Sequence, residues 1–262
     1  MPTGTVAAVL LAAALHATWN ALVKGRGVDP LTSSFGLSAV WAILGLPLAA
    51  ALLATVGLDP ATLPYLAASI AVHLTYFSLL VAAYGSGELS LVYPIARGLP
   101  PMLVALGAAA LGEPLSALAA AGVGALTLGV LVLTPPLRGT RPPVAPVVFA
   151  TGSACCTVAY TLLDGHATRL AGSPVVYLSV LTAVQGALFA LGALAVRGPR
   201  ILAAAWATRR VALGAGTMSV GGYGVALWAM GHAPIAAVAA LRESSVPMAA
   251  LLGAVARRAP GA

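Results

Sequence analysis

Apolar residues run along this chain in blocks about twenty long, broken by short stretches rich in Gly, Pro and charge. Nine blocks stand out, near residues 4–23, 31–56, 64–84, 88–111, 115–134, 144–163, 173–196, 209–230 and 234–256. A helix of ~20 apolar residues crosses the ~30 Å hydrocarbon core of a bilayer. Each block is predicted helical, because backbone N–H and C=O groups in lipid must pair within their own segment. A β-barrel would show alternating segments of ~10 residues, and these blocks are too long and too uniform for that. Between them stand the expected breakers. Asp29–Pro30 opens the second block, Asp59–Pro60 with Pro64 the third, and TPPLRGTRPP separates the fifth from the sixth. That proline-rich basic stretch divides the chain into units at 1–136, with five spans, and 143–262, with four.

Composition narrows the class. Of 262 residues, 60% are hydrophobic and 7% charged, against ~25% charged in a soluble domain. Such a chain cannot cover its surface with polar groups, which excludes a soluble enzyme, a disordered tail and a secreted disulfide scaffold. The adjacent Cys155 and Cys156 suit neither a bridge nor a zinc site and are expected to be small apolar filler. The first block lacks a basic n-region, since no Lys or Arg precedes Lys24, so a retained helix is expected rather than a cleaved signal.

The net charge of +7 reports orientation rather than nucleic-acid binding. Ten cations fall on the face opposite the N-terminus: Lys24, Arg26, Arg138, Arg141, Arg197, Arg200, Arg209, Arg210, Arg257 and Arg258. The N-terminal face has only Arg169. The positive-inside rule then predicts an outside N-terminus and an inside C-terminus.

Two segments resemble each other. LVYPIARGLPPMLVALG surrounds Arg97 and AVAALRESSVPMAALLG surrounds Arg242, each with an arginine, a proline, a methionine and a small-residue run. The arginines are 145 residues apart, and Pro30 and Pro174, which open the second helix of each unit, are 144 apart. With five helices per unit, the second unit enters the membrane upside down, as an inverted repeat. The counterpart of Glu113 falls at Arg258, four residues before the last residue. The second unit is therefore expected to lack its fifth helix.

The polar residues inside the blocks are the candidate chemistry. An arginine at the bilayer centre costs roughly 2.5–3.5 kcal/mol on insertion scales. Arg97 and Arg242, at matching depths, predict a polar midplane cavity between the units; a purely structural ion pair with Glu243 is the bland alternative. Pro94, Pro100 and Pro101 around Arg97, and Pro247 after Arg242, are expected to kink both spans. Glu243 follows Arg242 and so points about 100° away around a helix, toward another helix. Two cations against this one carboxylate leave one surplus positive charge, which a carboxylate- or phosphonate-bearing solute would neutralise. His16 and Asn20 share a face at i and i+4, with Trp19 beside them. His73, Tyr76, Tyr93, Tyr160, Gln185 and Tyr223 could line the same cavity. Glu88, Glu113 and Asp164 sit at block ends and are read as caps or boundary markers. The glycines of the fifth and eighth blocks are read as helix packing.

No Walker pattern, dinucleotide fingerprint or His-Glu-x-x-His occurs, so no cofactor is expected and any active transport draws on an ion or solute gradient. LHATWNALVKGRGVDPL, YPIARGLPPMLVALGAAALGEPLSALAAAGVGALTLGVLVL and APIAAVAALRESSVPMAALLGA together resemble the EamA-domain transporters of the drug/metabolite transporter superfamily. Gly112–Glu113 before a Gly-rich helix is similar to the family's commonest local signature, and the opening helix to a subgroup linked to phosphonate utilisation. The resemblance implies a ten-helix inverted-repeat permease for small metabolites, amino acids or drugs, with a central cavity. It also implies two cytoplasmic termini, at odds with the loop charges.

The expectation is an all-α integral membrane protein of about nine transmembrane helices in two inverted EamA-type repeats, five plus four, with the tenth missing. Its function is secondary transport of small anionic or amino-acid-like metabolites, not catalysis. Substrate-binding residues are expected at Arg97, Arg242, Glu243, His16, Asn20, Tyr93, Tyr76 and Trp19. The partners are a small-molecule substrate and the lipid bilayer, with a homodimer allowed and no nucleic acid. The Ala/Gly/Arg-rich composition suggests a high-GC genome, and the location a bacterial inner membrane. The alternatives are an integral-membrane enzyme and a truncated, non-transporting membrane protein.

Overall fold

A computed structural model describes residues 1–24, 28–86, 89–132, 144–249 and 251. Among these the chain is helical throughout, without strands. The helices are α1 (Thr3–Lys24), α2 (Pro30–Thr55), α3 (Leu63–Ser86), α4 (Leu89–Ala110), α5 (Ala117–Val132) and α6 (Val144–Leu170). They continue with α7 (Pro174–Arg197), α8 (Arg200–Ala207), α9 (Arg209–Met230) and α10 (Ile235–Arg242). Six of the described helices are long and apolar enough to cross a membrane, and α4 and α5 carry shorter apolar stretches, Ile95–Ala110 and Ala117–Val130. Large apolar side chains such as Leu11, Ile43, Leu106, Leu128 and Leu191 are exposed on the outside of the bundle. In water that surface would be a severe liability; against lipid it is the solvent-facing side. The chain is an all-α membrane-type protein.

Helix ends follow local chemistry. Asp29 caps α2, accepting from the Thr32 amide at 3.2 Å and its hydroxyl at 2.5 Å, with Pro30 in the first turn where no N–H is needed. Asp59 accepts from the Ala61 amide at 2.8 Å and opens the turn before α3. Ser173 caps α7, again with a proline next, and Gly198 ends that helix at φ 70°. The 197–209 connection, read from sequence as a loop, holds α8. One turn of α8 buries Ile201 while Trp206 stays exposed, with the Arg209 guanidinium 4.6 Å from its ring centroid. A short amphipathic helix flanked by Arg200, Arg209 and Arg210 suits the headgroup layer.

The proline expectations divide. α4 stays helical through Pro94, Pro100 and Pro101. α10 stops at Arg242, and Glu243 and Ser244 form a turn before the chain is helical again at 245–249. There the amides of Glu243 and Ser244 bond three residues back, to Ala240 and Leu241, at 3.1 Å each. Pro247 has no N–H to continue a regular ladder, and the tightened turn spares it that role. Arg26, Glu88, Arg138, Arg141, Arg257 and Arg258 lie outside the described residues, as does the proline-rich divider.

The principal packings are α2 on α7, α3 on α6, α1 on α9, and α4 on α6 and α10. α2 and α7 approach most closely: a Cβ on Gly186 would meet the Ser38 carbonyl oxygen at 2.7 Å, and one on Gly45 the Ala183 amide at 3.0 Å. Gly216 and Gly224 likewise admit Val40 and Leu178. In contrast, a Cβ on Gly122, Gly124 or Gly129 of α5, or on Gly214 or Gly221 of α9, would meet nothing within 4 Å among the described residues, so their expected packing role is corrected. α5 lies at the edge, mainly against α4, with few neighbours to admit. The largest buried cluster fills one end of the bundle, joining Val9, Leu66, Val104, Tyr177, Leu181, Leu227, Met230 and Ile235. These residues lie toward the N-terminal end of α1, so the bundle is solid on that face and less so on the other.

Candidate functional site

The solid end is also latched by charge. Arg169, at the end of α6, pairs with Glu113 in the α4–α5 connection. It also donates to the carbonyls of Met230 at 3.0 Å and Ala233 at 3.2 Å, beyond α9. Glu113 Oε2 in turn accepts from the Ile235 amide at 3.4 Å, at the start of α10. One ion pair thus ties three connections on the N-terminal face. The Arg169 hydrogen bond holds the Glu113 carboxyl below the usual range, outweighing partial burial. On the opposite face Arg197 reaches Asp29 at 3.0 Å, joining α7 to the start of α2.

Below the latch, close to the middle of the helices, lies a cavity of about 90 Å³. His16 and Trp19 come to it from α1, His73 and Tyr76 from α3, and Arg97 from α4. Tyr160 of α6, Thr182 and Gln185 of α7, Ser219 and Tyr223 of α9 and Arg242 of α10 also line it. The side chains are held by one another. His73 stacks on Tyr160 with ring centroids 4.1 Å apart, and Tyr160 meets Tyr76 and Tyr223 edge-on at 5.7 and 6.1 Å. The Arg242 guanidinium lies 5.8 Å from the Tyr223 ring centroid, within cation–π range. Both arginines are only 7% exposed, so neither reaches for a surface.

A second cavity, of about 280 Å³, shares Trp19, Phe77, Leu80 and Arg97 with the first and continues along Val23, Val28, Pro30, Ser33 and Ser34. Those residues lead to the end of α1 and the start of α2, on the face opposite the latch. From Arg97 the hollow runs to the basic face, and a third cavity of about 310 Å³, which shares Trp41, Thr182 and Val220 with the first, follows α2, α7 and α9 toward Leu48 and Val175. Of the sequence-predicted residues, Arg97, Arg242, His16, Trp19 and Tyr76 meet at the inner cavity, and Asn20 lines the outer one. Asn20 donates to the His16 carbonyl at 2.8 Å, which folds it along its own helix. Tyr93 belongs to α4, and its side chain lies outside those described.

Two expectations are corrected. Asp164 is not a boundary marker. α6 runs to Leu170, past the expected end at 163, so Asp164 is 0% exposed inside the bundle. There it accepts from the Tyr177 hydroxyl of α7 at 2.6 Å and from the Tyr223 hydroxyl of α9. Glu243 also differs from its expected placement. It sits in the turn after α10, 4% exposed, within electrostatic range of both Arg97 and Arg242. With Asp164 counted, the buried charged side chains are two guanidiniums and two carboxylates, and the surplus positive charge disappears. A signal for Asp164 was present. Ala150, Ser153, Ala154, Thr157, Tyr160, Thr161, Asp164, Ala167 and Thr168 are buried, a small-and-polar stripe at helical spacing that carries on past the expected end.

Among the buried side-chain atoms left without a hydrogen-bond partner in the described residues are Gln185 Oε1, on the cavity wall, and Glu243 Oε2. Buried polar atoms of this kind ordinarily have partners, so a ligand donor is a natural complement. Trp41, which also lines the cavity, is satisfied by the Gly216 carbonyl at 3.2 Å. Among the described residues no cluster of His, Cys, Asp and Glu could hold a metal.

No family model matches the chain, and no curated protein matches it. Among solved structures, one described only as "Crystal structure of protein" superposes with a TM-score of 0.72 at 21% identity. The match covers 100% of this chain and 91% of that chain. At that identity the likeness establishes a shared fold and nothing about activity.

Proposed function

We propose that this protein is a secondary, ATP-independent transporter of small solutes in a bacterial inner membrane, an EamA-type member of the drug/metabolite transporter superfamily built as two inverted repeats. The observation that carries the proposal is the burial of Arg97 and Arg242 on the wall of one small cavity near the middle of the helices. Burying two guanidiniums is expensive, and ionisable groups kept inside a membrane bundle ordinarily mark a solute or ion path. A cavity at such groups, between two units and near mid-membrane, is where secondary transporters built on inverted repeats hold their solutes.

The packing supports the repeat. Exchanging α1 with α6, α2 with α7, α3 with α9 and α4 with α10 turns the α1–α9 contact into α6–α3. The same exchange turns α4–α6 into α10–α1, and maps α2–α7 and α4–α10 onto themselves. Each of these contacts is observed, and the arginines of α4 and α10 are exchanged with each other.

The charge balance refines the solute. A carboxylate or phosphonate would sit against the guanidiniums in bidentate fashion. Gln185 Oε1 would accept from an ammonium or hydroxyl at the other end. A small amino-acid-like molecule satisfies both and leaves the cavity near neutral. The test is flux into proteoliposomes with a panel of radiolabelled small amino acids, aminophosphonates and simple carboxylates. The parent should accumulate at least one amino-acid-like compound, and Arg97→Ala and Arg242→Ala should each abolish that uptake. Uptake unchanged in both variants, or no flux of any compound by a folded parent, would overturn it.

A further inference from the structure

We propose that Asp164 is a proton-binding site whose occupancy governs opening of the N-terminal face. In this structure the carboxylate is wholly removed from water. Its hydrogen-bond partners among the described residues are the phenols of Tyr177 on α7 and Tyr223 on α9, so one carboxylate pins three helices together. It lies between the cavity, which Tyr223 lines, and the buried cluster that closes the end, to which Tyr177 belongs.

A motion that opens this end by parting α6 from α7 or α9 removes at least one phenol. An ionised carboxylate left without donors in a low-dielectric interior costs several kcal/mol, and such a group takes up a proton instead. Protonated, Asp164 donates its own O–H, either to Tyr223, whose hydroxyl hydrogen is then free to turn toward the cavity, or to a neighbour exposed by the motion. One proton enters from solution, the phenols keep theirs, and the cluster gains one positive charge.

The groups facing Asp164 are few. From α3 come His73, held by the Ser69 hydroxyl at 3.1 Å and carbonyl at 3.0 Å, and within electrostatic range of the carboxylate. Tyr177 comes from α7 and Tyr223 from α9, with Tyr160 on α6 itself. From α4 and α10 the charges are Arg97, Arg242 and Glu243, grouped on the cavity side. Apart from the two buried carboxylates, Asp164 and Glu243, the acidic groups here are phenols.

The consequence for transport rests on the function proposed above; the protonation itself is read without any solute. Infrared difference spectroscopy of the full chain in lipid nanodiscs, stepped between about pH 9 and about pH 5, reports it directly. The parent should gain the carbonyl band of a protonated carboxylic acid on acidification. Asp164→Asn should lose that band, Glu243→Gln should retain it, and Tyr223→Phe, which keeps the carboxyl, should shift its frequency. A band undiminished in Asp164→Asn, or no band in the parent that this variant removes, overturns the proposal. Opening is followed with a single cysteine at Thr168, one turn beyond Asp164, after Cys155 and Cys156 are changed to serine. Acid should raise its labelling from the N-terminal face several-fold. Labelling that ignores pH in that background, with Asp164 intact, also overturns it. Failure here, with solute flux and its arginine dependence intact, would leave the transport reading standing.

Discussion

Arg169 and Glu113, 56 residues apart in sequence, meet at the end of the bundle where the α4–α5, α6–α7 and α9–α10 connections converge. The pair is about a third exposed, so its Coulomb energy alone is modest. Its importance lies in what else the guanidinium holds. Arg169→Gln should cost about 1–2 kcal/mol, because the Met230 and Ala233 carbonyls lose a charged donor along with the ion pair. Thermal unfolding in detergent, compared with the charge-exchanged double variant, separates the pair from the carbonyl bonds: the exchange restores only the former.

The latch should weaken in acid. The folded value for Glu113 lies below its ordinary 4.5, so its stabilising contribution is complete above that value and is lost as pH falls through the lowered folded one. Melting temperature should therefore fall more steeply below about pH 4 for the parent than for Glu113→Gln, which has no such proton to bind. Parallel curves for the two proteins would show that the carboxylate contributes nothing.

Close packing of α2 and α7 makes Gly186 intolerant. An alanine there would drive a methyl into the Ser38 carbonyl at 2.7 Å, with backbone rather than a flexible side chain in the way. Gly186→Ala should destabilise by about 1–3 kcal/mol. At Gly129 of α5, with open space around it, the same change should be neutral or stabilise by up to about 1 kcal/mol through helix propensity. Equal melting temperatures for the two variants would refute the close crossing.

At the cavity, charge alone should not suffice. Arg242→Lys keeps the cation but loses the planar fork and the stacking over Tyr223. Uptake of the best compound in the flux panel should fall about tenfold, the equivalent of one lost charged hydrogen bond. Retention of full uptake would mean that the guanidinium acts only as a point charge.

Access should come from the basic face. Ser33 lines the outer cavity near the start of α2. In a background without Cys155 and Cys156, a cysteine at Ser33 should react with a membrane-impermeant maleimide added to the basic face and not to the other. Labelling of inside-out and right-side-out vesicles reads this, and fixes which face is cytoplasmic.

Hydropathy and charge marked out most of the helices, because a membrane demands long apolar runs and the requirement is one-dimensional. The caps at Asp29 and Ser173, with their following prolines, are equally local. So was the importance of Arg97 and Arg242, since a guanidinium within an apolar run is anomalous before any fold is known. Three things were decided only by tertiary structure. Asp164 and Tyr177 are 13 residues apart on successive helices, and Tyr223 is a further helix away; only their convergence turns a span-end carboxylate into a buried one. Glu243 returns to Arg97 and Arg242 because the helix stops, which no helical-wheel angle anticipates. The placement of the hollow follows from which helices pack tightly at which end, a balance of side-chain volumes across elements far apart in the chain. Composition along a segment specifies its solvent; what faces what depends on how the segments meet.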